Sequence, residues 1–236
     1  MSGSFHCLNL GITKCYLLRC SEGYLLIDTA YPQDYEKFVK SLAKIGVDPS
    51  AIRYLLLTHH HDDHAGFAAR LVERTGCRVI VHRDAILPLS RGISEETMEP
   101  VNRCTKIVLS LFEMIHKEFE YPPLVITDRD IVLSGDESDL LKGLGIDGRI
   151  LHTPGHSSDS ISVVLSDGSA FVGDAAMNFL HFCHIRYRPI YVEDRDLVFE
   201  SWHKLTEHGA KRIYPAHGRP FPAGKLTYYR EKFTNR

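Results

Sequence analysis

Tyr54-Leu55-Leu56-Leu57-Thr58-His59-His60-His61-Asp62-Asp63-His64-Ala65-Gly66 is the stretch on which the reading of this chain turns. Tyr54 to Leu57 is a short apolar run of the kind that forms a buried strand. The six positions after Thr58 then hold four imidazoles and two carboxylates. A solvated polar loop is one reading of such a cluster. Nitrogen and oxygen donors packed this densely at the exit of a buried strand point instead to a metal site, and the mixture suits zinc, iron or manganese. If the loop stays extended, His59, His61 and Asp63 share one face while His60 and Asp62 share the other. His64 follows where the next helix would begin, so the chain can turn it toward a neighbouring site.

Working outward, Cys15 to Leu18, Tyr24 to Ile27 and Val79 to Val81 are further short apolar runs, and Asp34 to Ile45 and Gly66 to Thr75 read as helices between strands. The second half offers strands at Arg149 to His152, Ser160 to Leu165, Ala170 to Val172 and Arg212 to Tyr214, with a helix near Asp194 to His208. Strands that begin together and then alternate with helices predict sheets covered by helices. Between the halves, Val101, Cys104, Val108, Leu111, Phe112, Ile115 and Phe119 recur at helical spacing. That helix is read first as core cover, with a lid or a dimer contact as the sharper alternatives.

Three more blocks place donors just after strands: Thr153-Pro154-Gly155-His156-Ser157, Phe171-Val172-Gly173-Asp174-Ala175 and Tyr214-Pro215-Ala216-His217-Gly218. With His59-x-His61-x-Asp63-His64 they resemble the metallo-β-lactamase superfamily, block for block and in order, over roughly residues 5 to 220. The resemblance implies an α/β fold, an αβ/βα four-layer sandwich of two mixed β-sheets with outer helices and the metals at one edge between the sheets. It implies one domain over residues 1–236 with a helical insertion at about 83–120.

Carried over residue by residue, His59, His61 and His156 would hold one divalent metal, Asp63, His64 and His217 a second, and Asp174 would bridge them. Zinc is the first expectation, with iron or manganese as alternatives. Two such ions about 3.5–4 Å apart would provide a bridging hydroxide at neutral pH, and Asp63 and Asp174 are the expected catalytic carboxylates. Asp28, in Ile27-Asp28-Thr29, would support a ligating imidazole, although alone it reads as a strand-end aspartate starting a turn. Thr58 and Ser157 would brace the ligand loops. His60 is expected to face away from the metals. His181, His184, Tyr187 and Tyr191, with Arg186 and Arg188, are candidates for substrate contact; a polar loop with aromatic anchors explains them equally well.

Fold alone cannot choose among the family's chemistries. Aspartate at position 174 resembles the thioesterase, lactonase and phosphodiesterase branches, where true β-lactamases carry cysteine or serine. Only nineteen residues follow His217, too few for the helical domain of glyoxalase II enzymes. Met177 stands where acyl-homoserine lactonases have tyrosine. Flavodiiron proteins carry glutamate where His61 stands here. The expected reaction is hydrolysis of an ester-like bond, thioester or lactone, in a small molecule. A phosphodiesterase on a small substrate and a non-haem di-iron oxidoreductase are the alternatives.

Composition sets the remaining bounds. With 28 basic and 30 acidic residues the formal charge is −2, which predicts no general attraction to nucleic acid or anionic membranes. Neither a leader nor a membrane span is visible. The six cysteines are scattered without a C-x-x-C pair, predicting reduced thiols in a cytoplasmic protein, with Cys183 the one to watch because it follows a proposed ligand. A homodimer is left open.

Overall fold

Leu25, Leu26 and Ile27 alternate between two different cores, and that alternation builds the layers. The same division separates Leu55 from Leu56 and Val79 from Ile80. Strands buried on both faces read as continuous apolar runs, which is why these segments stand out in the sequence. A computed structural model describes residues 5–94, 99–115 and 120–234.

The first sheet contains β1 (Phe5–Asn9), β2 (Lys14–Cys20), β3 (Gly23–Ile27), β4 (Ile52–Leu56) and β5 (Arg78–His82). After the short β6 (Glu99–Pro100), β7 (Ile131–Leu133) completes it in the order β1-β2-β3-β4-β5-β7. The β1–β2 and β2–β3 pairs are antiparallel, the rest parallel. The second sheet is built from β8 (Gly148–His152), β9 (Ile161–Leu165), β10 (Ser169–Phe171), β12 (Arg212–Tyr214) and β13 (Phe221–Pro222), in the order β13-β12-β10-β9-β8. It is mixed too, because β10 and β12 run parallel. The remaining strand, β11 (Tyr191–Val192), pairs with β6.

One core, with Tyr16, Leu25, Ile27, Leu56, Ile80, Ile150, Val163 and Phe171, lies between the sheets. The outer face of the first sheet packs Leu17, Leu26 and Leu55 against Phe38 and Leu42 of α1 (Tyr35–Lys44). Between β4 and β5 run α2 (Asp62–Ala65) and α3 (Ala68–Thr75), whose Leu71 joins the same core. The outer face of the second sheet packs Leu151, Val164 and Ile213 against Trp202 and Leu205 of α7 (Arg195–Glu207) and Leu226 of α8 (Gly224–Thr234). Helix, sheet, sheet and helix form the expected four layers. Three helices of the middle region, α4 (Ile86–Arg91), α5 (Arg103–Ile115) and α6 (Leu140–Gly143), complete the set.

The stripe read from Val101 to Phe119 falls in α5 from Cys104 through Ile115; Val101 precedes the helix, and residues 116–119 lie outside the described set. Its first turn docks on the segment after Asp174. Asn102 Nδ2 donates to the Cys183 carbonyl at 2.9 Å, and Cys104 forms a disulfide with Cys183. This corrects the expectation that all six cysteines are reduced. The partners are 79 residues apart and carry no spacing signal, so only the tertiary docking of α5 brings them together. The cytoplasmic expectation loses the support it drew from reduced thiols, since disulfides persist in oxidising compartments. Among the described residues, no helix is long and apolar enough to cross a membrane.

Candidate metal centre

Four strand ends supply the donors. His59 and His61 follow β4, His156 follows β8, Asp174 follows β10 and His217 follows β12. His61 is extended (φ −63°, ψ 154°) just before α2, but Thr58 and His59 lie in a bend. His59 and His61 converge all the same, whereas α2 turns Asp63 toward His64 and His217.

The result is two trios of ligand atoms, His59/His61/His156 and Asp63/His64/His217, each mutually within 4.8 Å, and a third set, His59/His64/Asp174, that links them within the same distance. In the first, His59 Nε2 lies 3.0 Å from His61 Nδ1, and His156 Nε2 lies 3.2 Å from both. These separations approach the edge of about 3.3 Å that a tetrahedral site with zinc–nitrogen bonds near 2.0–2.1 Å requires. In the second, His217 Nε2 lies 3.0 Å from Asp63 Oδ2, and His64 Nε2 lies 3.7 Å from Asp63 Oδ1. Asp174 stands between the trios. Its Oδ1 is 3.4 Å from His64 Nε2 and 3.3 Å from His217 Nε2, while its Oδ2 is 3.7 Å from His156 Nε2.

Contacts behind the donors aim them. His156 Nδ1 donates to the Tyr191 carbonyl at 2.9 Å and His217 Nδ1 to the Ile12 carbonyl at 3.1 Å. A carbonyl only accepts, so in the neutral rings the Nε2 lone pairs face the cluster. Asp28 Oδ2 lies 3.0 Å from His64 Nδ1, and it accepts from Thr58 Oγ1 at 2.8 Å while Oδ1 accepts from Thr58 N at 2.7 Å. Asp28 sits at φ 61°, a strained backbone of the sort that surrounding contacts must hold in place.

Charge divides the trios. Burial, reinforced by neighbouring imidazoles, pushes His59 and His61 well below the usual histidine range, and burial lowers His156 as well. Those rings are neutral and offer lone pairs. Burial also opposes charge on His64 and His217, but the carboxylates outweigh it: Asp63, Asp174 and Asp28 hold His64 well above its usual value, and Asp174 and Asp63 push His217 up to about 10. Burial would raise Asp174, yet His217 and His64 keep it well below the ordinary carboxylate range. Converging neutral nitrogens beside a set of buried carboxylates fit divalent cations.

Gly173 lets the Asp174 loop pass close to Thr58. At φ 49° it is left-handed, and a Cβ there would stand 2.2 Å from Thr58 Oγ1. Gly173→Ala is expected to destabilise the fold by about 1–3 kcal/mol through overpacking and to disturb Asp28 through Thr58. Chemical denaturation checks this, and an unchanged midpoint would refute the close approach.

The expected substrate-contact residues are not gathered here. Tyr187 packs on Phe221 and Tyr229, at 4.3 and 5.6 Å between ring centroids. His184 lines a separate cavity of about 360 Å³ with Asn102, Arg186, Arg188, Lys232 and Phe233. Tyr191 places its carbonyl on His156 Nδ1. His181 lies in the 3-10 turn His181–Cys183, its side chain outside the described set. Two contacts that the sequence reading missed are Thr13, whose Oγ1 donates to Asp63 Oδ2 at 3.3 Å, and the Ile12 carbonyl. Both come from the turn between β1 and β2, which carries no motif.

Comparison with known proteins agrees with this architecture. The family model described as the metallo-beta-lactamase superfamily matches residues 8–217. A beta-lactamase-like protein 2 homolog of Drosophila melanogaster is 24% identical over 220 residues, covering 92% of this chain and 63% of the relative. An atrochrysone carboxyl ACP thioesterase of Aspergillus aculeatus is 24% identical over 212 residues, covering 89% and 52%. The chain thus spans between about half and two thirds of the length of these relatives. Among solved structures, an archaeal metallo-beta-lactamase superfamily protein from Sulfolobus tokodaii superposes with a TM-score of 0.67 at 18% identity, covering 99% of this chain and 87% of the other.

Proposed function

We propose that this chain, which belongs to the metallo-β-lactamase superfamily, is a metal-dependent hydrolase that binds two divalent cations, zinc first, and cleaves a thioester or lactone in a small molecule. We read it as one domain. The observation that carries the reading is the carboxylate of Asp174, with one oxygen beside His64 and His217 and the other beside His156. A residue serving a single cation has no need to face both trios.

Divalent cations, when bound, supply Lewis acidity and a nucleophile at neutral pH. The rest of the work falls to the chain. His59, His61 and His156 would hold one cation through neutral rings, Asp63, His64 and His217 the other, with Asp174 shared. Thr13 and Ile12 fix Asp63 and His217 from the β1–β2 turn. At 14% side-chain exposure against 6% for Asp174, Asp63 is the more accessible carboxylate, placing its Oδ atoms where a proton leaving the attacking group can be held. Exposed Phe179 lies 6.5 Å from His217 between ring centroids, and exposed Ile12 carries the carbonyl that His217 contacts. Apolar groups at this edge favour an acyl group over an anionic phosphodiester. The Aspergillus relative, named as a thioesterase, supports the same choice.

Protein never exposed to chelator should carry close to two equivalents of zinc, iron or manganese; less than one equivalent would sink the two-cation reading. On a panel of thioesters, lactones, phosphodiesters and β-lactams, kcat/KM should be highest for a thioester or lactone. A preference for phosphodiesters would overturn the substrate class while leaving the metal centre intact.

A further inference from the structure

We propose that Asp159 is a positioning residue which, through His60, sets the spacing between the two loops of the three-imidazole trio and so governs how tightly His59, His61 and His156 hold a cation. This rests on the metal reading above. His60 lies within the dense histidine cluster yet belongs to neither trio of donor atoms. Its Nδ1 lies 3.1 Å from Asp159 Oδ2, with His60 at 2% and Asp159 at 1% side-chain exposure.

The placement of this pair gives it leverage. His60 stands between His59 and His61 in the chain, and Asp159 stands three residues after His156. One side-chain contact therefore joins the two segments whose three nitrogens must converge. Ile161 N, donating to the Thr58 carbonyl at 2.8 Å, ties the same segments at the strand side, and Glu193 N, donating to the Gly155 and His156 carbonyls at 3.0 and 3.2 Å, holds the base of the turn, so the His60–Asp159 contact acts at its far end.

Each partner is braced from behind. His152 Nε2 donates to the Ser158 carbonyl at 2.8 Å, and the Ser157 and Ser160 hydroxyls meet at 2.7 Å, folding the turn that presents Asp159. On the opposite side, the Tyr121 hydroxyl donates to the His60 carbonyl. A buried contact between polar side chains is seldom more stabilising than well-packed apolar side chains of the same volume. What it supplies is one preferred separation, and here that separation is shared with the trio. The second trio has separate supports in Thr13 and the Ile12 carbonyl, while Asp28 and Thr58 stand behind His59 and His64 alike. Losses at Asp159 should therefore fall on one site.

The test is a titration of the chelator-stripped full chain with cobalt(II), followed by its d–d absorption, and with zinc by equilibrium dialysis. In Asp159→Asn, affinity at the three-imidazole site should fall about 10–100-fold, as is usual when a supporting contact behind a ligand is removed, while the other equivalent binds as in wild type. Asp159→Glu should restore part of the loss. The double variant H60N/D159N should lose no more than D159N alone. Equal weakening at both sites, tracking the fall in thermal stability of the metal-free protein, would reduce Asp159 to a general fold contact and overturn the inference. So would unchanged affinity in D159N, or fully additive losses in the double variant. A wild type that binds one cation refutes the two-cation reading but still tests Asp159 on that cation. A wild type that binds none overturns both.

Discussion

Asp174→Asn is expected to lower kcat/KM by more than about 100-fold, beyond the 10–100-fold typical of contacts behind a metal ligand, and to cost one of the two cation equivalents. Asparagine keeps the shape, but only one of its two terminal atoms can donate a lone pair. It can serve His64 and His217, as Oδ1 does at 3.4 and 3.3 Å, or face His156, as Oδ2 does at 3.7 Å. It cannot do both. The substitution also removes the first charge that keeps His217 protonated. In the metal-free protein that leaves buried cations without their partner, a loss of several kcal/mol by analogy with other broken buried pairs. Metal content, kcat/KM and denaturation should therefore move together. Retention of both equivalents with near wild-type turnover would remove the shared role of Asp174.

The sequence carried most of this because the strands that bear the donors are apolar on both faces. Leu55-Leu56 and Ile150-Leu151 divide their side chains between two cores, so each strand appears as a short continuous run with polar residues at its exit. Elements with weaker contrast were missed. β7 is three residues long, and α8 buries only Leu226 fully, its stripe of Leu226, Tyr229 and Phe233 being interrupted in sequence by exposed Tyr228 and by charged residues. Alternation put His59 beside His61, which converge although His59 lies in a bend, but it carried Asp63 too far, because a strand period does not apply once α2 starts. Asp159 lay in plain view, three residues after His156. A carboxylate there has no meaning until the fold buries it against His60.

Tyr187 has a packing role that its sequence neighbourhood does not show. A polar, aromatic-rich loop resembles a binding surface in sequence, yet its ring joins the outer core through Phe221 and Tyr229. Neighbouring His184, Arg186 and Tyr187 all have positive φ, so side-chain direction in this loop departs from what an extended segment would give. The nearby Cys104–Cys183 bond depends on the same long-range docking. Spacing between residues 79 positions apart could not announce it.

The contrast in charge between the trios leads to a second large effect, on metal loading against pH. His59, His61 and His156 are held below the usual histidine range by burial, so from about pH 6.5 upward no proton competes for their lone pairs. His217 is different. With its pKa pushed up to about 10 in the metal-free protein, it must lose a proton before it can bind a cation. Affinity at the Asp63/His64/His217 site should therefore rise roughly tenfold per pH unit for each proton displaced, about 100-fold between pH 7 and 9 from His217 alone. The three-imidazole site should change little over that interval. Stability of the metal-free protein should move the opposite way. A histidine whose folded pKa is raised contributes stability fully present below its unfolded value near 6.5 and lost as pH rises through about 10. Metal-induced stabilisation should accordingly widen between pH 7 and 9, because the metal-free reference weakens while the second site fills. Zinc titrations at fixed ionic strength across that range separate the two equivalents by their slopes. Identical pH slopes for both would mean that the carboxylates around His217 do not hold its proton, and the division of the centre into a neutral and a proton-occupied half would fail.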